Sequence, residues 1–124
     1  MLKSIKLTGT TSAGGAVTIT ATRSILARLY AVEWIDGTFD DGVDGTLSFV
    51  QSESEVDTTL LTLTDANSDA WYYPRALVHD ASGTALTGTA GGDRTLPVIN
   101  GTLKLVIAQG GNAKTGGCIV YYCD

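Results

Sequence analysis

The sequence predicts an all-β chain: an antiparallel β-sandwich of the jelly-roll or immunoglobulin-like kind, built from about eight short strands. Three observations carry that expectation. Apolar residues recur with period two in short runs, and turn-forming residues separate the runs at nearly regular spacing. No stretch shows a convincing amphipathic-helix pattern. The composition is rich in Gly and Thr and poor in Met, Phe and Lys, which suits strands and tight turns. At 124 residues the chain is long enough for one core, and a division into two domains would leave neither an adequate interior. Residues 1–124 are therefore read as a single domain, with Met1 to Thr10 as an edge strand or an arm paired with a neighbouring subunit.

Taken in order, Lys3 to Thr10 alternates Ile5 and Leu7 with polar neighbours, the pattern of a strand with one wet face. Ser12 to Gly15 turns the chain, and Ala16 to Thr22 sets Val17 and Ile19 against outward threonines, so the two pieces read as a hairpin or as neighbours at a sheet edge. Ser24 to Phe39 is the apolar spine. Leu26, Tyr30, Val32 and Trp34 fall on one side, and Ile25, Ala27, Leu29, Ala31 and Ile35 on the other. Periodicity alone does not separate such a run from a buried helix. The β-branched and aromatic content, and the abrupt Asp36-Gly37 turn, favour a strand buried on both faces. Its second face then needs a cover, either the Gly-rich loop at Ala81 to Arg94 or an adjacent subunit.

Asp36 to Gly45 reads as a loop, Thr46 to Gln51 as a strand, Ser52 to Asp57 as a polar connection and Thr58 to Thr64 as another buried strand. Trp71 to Asp80 is the most aromatic segment. Pro74 within it removes a ladder donor, so the strand lies at an edge or begins after Pro74. A short strand at Ala85-Leu86 is expected inside the Gly-rich loop. Thr95 to Ala108 reads as a hairpin about Asn100-Gly101, a favoured pair for a two-residue type I′ turn. Cys118 to Cys123 closes the chain as a strand.

Bulk properties exclude several function classes. A formal net charge of −5 argues against a nucleic-acid partner, whose phosphates need clustered Lys and Arg. The uncharged apolar runs fall short of the roughly 18 residues of a membrane helix, so no membrane partner is expected. Met1-Leu-Lys-Ser-Ile-Lys-Leu-Thr8 has no apolar core or cleavage site of a secretory leader, which predicts cytosolic synthesis. Cys118 and Cys123, five apart, face opposite sides of one strand and are read as two reduced thiols.

Candidate chemistry is sparse. Asp36, Asp40, Asp41 and Asp44 invite comparison with a calcium loop. An EF-hand register starting at Asp40 places Gly42 at the third position and Gln51 where the bidentate Glu belongs, so ordinary solvated turns are the reading. His79 is the single imidazole and lacks the converging groups of a triad. Glu53 and Glu55 sit in a polar connector and read as solvated charges rather than a glycosidase pair. The sequon Asn100-Gly-Thr102 reads as part of the turn. No catalytic, cofactor-binding or metal-ligating residue is assigned. Trp71, Tyr72, Tyr73 and Arg75 have the composition of an interface anchor or a carbohydrate platform. Tyr30 and Trp34 join them as candidate partner-binding residues on the spine.

Charge is segregated along the chain. Between Leu29 and Pro74 lie ten acids, Glu33, Asp36, Asp40, Asp41, Asp44, Glu53, Glu55, Asp57, Asp65 and Asp69, and no base. All eight bases, Lys3, Lys6, Arg23, Arg28, Arg75, Arg94, Lys104 and Lys114, lie outside that span. A chain so divided can present opposite signs on different surfaces, which favours docking to a partner or to a copy of itself.

The run Val98-Ile-Asn-Gly-Thr-Leu-Lys-Leu-Val-Ile-Ala-Gln-Gly-Gly-Asn-Ala-Lys-Thr-Gly-Gly-Cys-Ile-Val-Tyr-Tyr122 resembles the ending of small structural proteins of tailed bacteriophages. The segments Leu29 to Phe39 and Leu61 to Arg75 are similar to that group as well, so the likeness covers about two-thirds of the chain. Its motifs are structural ones. The resemblance implies a non-enzymatic virion protein of the capsid decoration or cement type, a homo-oligomer whose partner is the major capsid protein or another virion protein. A head-tail connector, tail or head-fibre component, or a host-surface carbohydrate module, are the alternatives it leaves.

Overall fold

The computed structural model describes residues 1–51, 57–87 and 92–124. Within them nine strands form: β1 (Leu2–Thr10), β2 (Val17–Ile35), β3 (Asp44–Val50), β4 (Asp57–Leu63), β5 (Ala70–Tyr72), β6 (Ala76–Leu77), β7 (Arg94–Thr95), β8 (Val98–Ala108) and β9 (Thr115–Cys123). All pairings are antiparallel. Seven strands make one sheet in the order β1-β9-β2-β8-β3-β4, with β5 also on β2; β6 and β7 form a separate pair.

The fold turns on β2. Its 19 residues at roughly 3.3 Å each would reach about 60 Å if straight, several times the ~14 Å radius of gyration of a chain this size. It therefore bends, and it does so by changing neighbours. Val17 to Arg28 runs along β8, whereas Arg28 to Ile35 runs along β9. Val32 to Trp34 also pairs with β5. Two irregularities, between Thr20 and Ser24 and between Leu29 and Ala31, sit where the bending is needed. The seven-stranded sheet thus folds into two leaves that share β2: β1-β9-β2-β5 and β2-β8-β3-β4. A β-sandwich results, with its corner made by a strand that switches sheets at bulges.

The second irregularity explains the double apolar pattern of the spine. Leu29 pairs with Tyr122 and Ala31 with Tyr121, so Tyr30 is an extra residue without a partner on β9. Inserting one residue reverses the parity of everything after it. Ala27 and Leu29 face the core before the bulge, and Val32 and Trp34 face it afterwards. What reads as two apolar faces is one buried stripe that changes from odd to even numbers at Tyr30. Leu26 and Tyr30 are left outside.

The core lies between the leaves, from Leu7 on β1 through Leu29, Val32 and Trp34 to Leu47, Leu103, Leu105, Ile107, Val120 and Tyr122. Trp34 fixes its centre. It is 1% exposed, its Nε1–H donates to the Ala66 carbonyl at 3.0 Å, and its ring lies 5.9 Å from that of Phe39. An apolar void of about 10 Å³ beside it, lined by Val32, Gly45, Leu47 and Cys118 among others, is at the lower limit for one water.

Several local expectations are corrected. Ala16 to Thr22 and the spine are one continuous strand, because no turn residue interrupts Val17 to Ile35. β1 and β2 are consecutive but do not pair with each other; β1 takes its whole ladder from β9. Asn100-Gly101 is no hairpin turn. β8 passes straight through it, with Gly101 at φ 149° and packed so closely on the Val50 carbonyl that a Cβ would collide. Glycine's freedom serves here for close backbone approach within a strand, not for chain reversal. The aromatic segment breaks into β5 and β6 around Pro74. Ala85 makes an isolated bridge to His79. The connector bearing Glu53 and Glu55 lies outside the described residues.

Candidate functional site

The outer face of the β1-β9-β2-β5 leaf follows from register. On β2 the outward positions are Leu26, Arg28, the bulged Tyr30 and Glu33. Arg28 pairs with both Val98 and Cys123, Cys123 pairs with Leu2, Ala31 with Tyr121, and Glu33 with both Ile119 and Trp71. Residues opposite each other in a ladder share a face, so these side chains form one surface. At one end it is aliphatic: Leu26 is 71% exposed, Val98 56% and Leu2 53%. A shallow groove of about 230 Å³ there is lined by Leu26, Ala27, Arg28, Val98, Cys123 and Asp124.

The other end is aromatic. Trp71 is 51% exposed and stacks on Tyr121, with ring centroids 5.2 Å apart and an interplanar angle of 27°. The Tyr121 hydroxyl donates to Glu33 Oε1 at 3.0 Å. That bond, with smaller contributions from burial and the carboxylate's charge, raises the phenol pKa above its usual value. Tyr73 is exposed just past the end of β5, before Pro74. Arg75 Nη1 donates to the Tyr30 carbonyl at 3.1 Å and to the Pro74 carbonyl at 2.7 Å. Its guanidinium carbon lies 6.0 Å from the centre of the exposed Tyr30 ring, the outer limit of a cation–π contact.

Of the six residues singled out from sequence, the structure brings Tyr30, Trp71 and Arg75 to this face, with Tyr73 exposed beyond the end of β5. Trp34 is sealed in the core and Tyr72 packs against it from β5. The reason is parity: Tyr72 pairs with Val32, an inward residue, and Trp34 follows the bulge. Leu26, Val98, Glu33 and Tyr121 escaped notice. The last two meet across 88 positions of sequence, a separation no local pattern reports. An exposed Leu26 inside an alternating run had a visible signal, since it shares parity with Arg28.

The remaining clusters are structural in their contacts. At the end of the leaf away from Leu2, acids accept from backbone N–H groups of the loops: Asp69 Oδ1 from Asp36 at 2.8 Å and Asp44 Oδ1 from Asp65 at 3.0 Å. Desolvation first, then the charges of Asp69 and Asp41, raise the Asp36 pKa above its ordinary 3.8. Its Oδ1 is inaccessible and without a hydrogen-bond partner. Among the described residues no group of three or more His, Cys, Asp or Glu is placed to hold a metal. Lys3 and Arg28 lie at the leaf's opposite end, opposite Tyr122 and Cys123 in the ladders, but Lys3 meets Asp124 there and Lys114 meets Asp40 at the acidic end, so folding interleaves the signs that the sequence keeps apart. Both cysteines are free, Cys118 buried and Cys123 half-buried. No helix in the described residues is long and apolar enough to cross a membrane.

No family model matches the chain, and no curated protein does. Among solved structures, a chain in the structure of the Gx strain of infectious bursal disease virus is similar at 13% identity and a TM-score of 0.31. The alignment covers 98% of this chain and 40% of that one, so this chain spans well under half the length of the viral one. A likeness that slight bears on neither fold nor role.

Proposed function

We propose that this chain is a non-enzymatic structural protein of a tailed-phage virion, a decoration or cement protein that binds the major capsid lattice and braces it. The observation that carries the reading is the aliphatic end of the outer face. Leu2, Leu26 and Val98 are each more than half exposed on one side of a leaf whose other side carries the core. A clustered apolar surface of that kind on a folded domain marks a protein–protein contact. The phage-like ending in β8 and β9 supports the virion setting, because it supplies the strands that display Val98 and Cys123. Arg28, within the same surface, gives the contact a charged partner requirement and hence specificity.

Co-sedimentation of the purified protein with expanded capsids, over a range of salt, tests the reading. Binding by the native chain and its loss in Leu26→Asp or Val98→Asp is the expected result. Those variants keep the fold, since both side chains point to solvent. Failure of the native chain to sediment with capsids at any salt concentration overturns the capsid-binding role. Homo-oligomerisation belongs to the same proposal, and the solution mass of the isolated protein tests it.

A further inference from the structure

The aromatic end of the outer face has a different chemistry from the aliphatic end. Trp71 presents its indole to solvent with one face backed by Tyr121, so the ring is held flat and its other face is available. Glu33 lies directly across the β2–β5 ladder from Trp71. One of its carboxylate oxygens accepts from Tyr121; the other accepts no hydrogen bond among the described residues. On the Tyr30 side, Arg75 is tied to backbone carbonyls through Nη1 alone, which leaves further N–H donors in the same guanidinium plane. The patch thus combines an exposed aromatic face, an acceptor across the ladder from it, and a planar donor over Tyr30, three residues along β2 from Glu33.

We propose that this end of the face binds carbohydrate, with a pyranose ring stacked on Trp71 and its hydroxyls bridged by Glu33 and Arg75. A sugar ring has one face of C–H groups, which suits the electron-rich face of an indole. Its rim of hydroxyls both donates and accepts. An apolar protein surface lowered onto the same place would strip water from Glu33 and Arg75 without replacing it, and burying charges unpaired is costly. Hydroxyls satisfy both groups. The aliphatic end carries Arg28 but no aromatic ring to stack a sugar on, so the two ends suit different partners. This goes beyond the capsid-binding reading and does not depend on it.

The chain has two tryptophans, which gives a direct readout. In a ¹H–¹⁵N correlation spectrum the two indole N–H signals are distinct, and that of Trp34, bonded to the Ala66 carbonyl, is an internal control. Titration of the native protein with maltotriose, chitotriose and a β-1,4-galactotriose is expected to move the Trp71 indole signal saturably with at least one of them, at about millimolar affinity, and to leave that of Trp34 in place. Glu33→Gln is expected to weaken the binding roughly tenfold, Tyr73→Ala to fold and weaken it less, and Trp71→Ala to abolish it as judged by the backbone signals. Three results overturn the proposal: no saturable shift with any of the three sugars up to about 20 mM, well above that affinity; equal binding by Trp71→Ala; or loss of capsid co-sedimentation in Trp71→Ala with no sugar response, which would make the patch a protein interface. Absence of capsid binding by the native chain leaves the sugar titration unaffected, so the two readings fail separately.

Discussion

Replacing the two tryptophans separately tests the parity change at Tyr30. A buried Trp removes about 150–250 Å² from water, which at about 25 cal/mol per Å² is worth about 4–6 kcal/mol. Trp34, at 1% exposure, has nearly all of that to lose. Its removal also orphans the Ala66 carbonyl, a further cost of about 1–3 kcal/mol, while partial collapse of the site returns some of the total. Trp34→Ala is therefore expected to destabilise the fold by about 4–5 kcal/mol, within the range for such truncations and a large share of a domain's typical 5–15 kcal/mol. Trp34→Phe keeps a ring but loses the donor and is expected to cost about 2 kcal/mol. Trp71→Ala, on a side chain half in solvent but stacked on Tyr121, is expected to cost about 2 kcal/mol, half of the full-burial value less partial collapse. Urea unfolding followed by far-ultraviolet circular dichroism at 25 °C gives all three values. A Trp34→Ala cost of about 1 kcal/mol, or equal costs at the two positions, would refute the bulge and return the spine to simple alternation. Gly45 adds a cross-check. A Cβ there would lie 2.9 Å from the Trp34 ring, so Gly45→Ala is expected to be destabilising in the native background and less so when Trp34 is already Ala.

Burial pushes the Cys118 thiol from 9.0 up to about 12. The protonated form is favoured by folding, so its contribution is complete below about pH 9 and is lost as pH rises toward 12; Cys118→Val is expected to flatten that part of an alkaline stability profile. In native protein at pH 8, a thiol-exchange reagent should label Cys123 quickly and Cys118 only on unfolding, and rapid labelling of both would contradict its burial. Asp36 also has a raised pKa, so its contribution is present below about 3.8 and lost as pH rises through the folded value. Asp36→Asn is expected to raise the urea midpoint at pH 7 and to leave it unchanged at pH 3. Gly101→Ala is expected to cost more than about 2 kcal/mol, because φ 149° and the Val50 carbonyl both resist a Cβ; the roughly 1 kcal/mol typical of an exposed turn glycine would instead favour a hairpin.

Single-strand patterns were enough to find most of the elements. β1 and β9 appear as the sequence predicts because each keeps one register along its length or nearly so, and alternation is a property of the strand alone; β4 forms where expected but lies half-exposed at the sheet edge rather than buried, since only β3 pairs with it. Pro74 divides the aromatic segment for an equally local reason, the missing donor. The two cysteines on opposite faces of β9 follow from counting by twos. Trp71, Tyr73 and Arg75 were recognisable as candidates from composition.

What sequence did not determine was which neighbour each strand would take, and everything that depends on it. Tyr30 is a bulge only because β9 supplies one residue fewer there, and that shortage is written about 90 residues away. The single shift sends Trp34 inward, leaves Tyr30 out, and merges two apparent apolar faces into one. Asn100-Gly101 likewise has the composition of a turn, but β8 is held straight by β2 on one side and β3 on the other. The candidate site is of the same kind: Glu33, Trp71 and Tyr121 come from three strands and meet through two ladders. Alternation and chain breaks are local steric properties and can be read along the chain, whereas register is a contest among distant pairings and is decided only when the sheet closes.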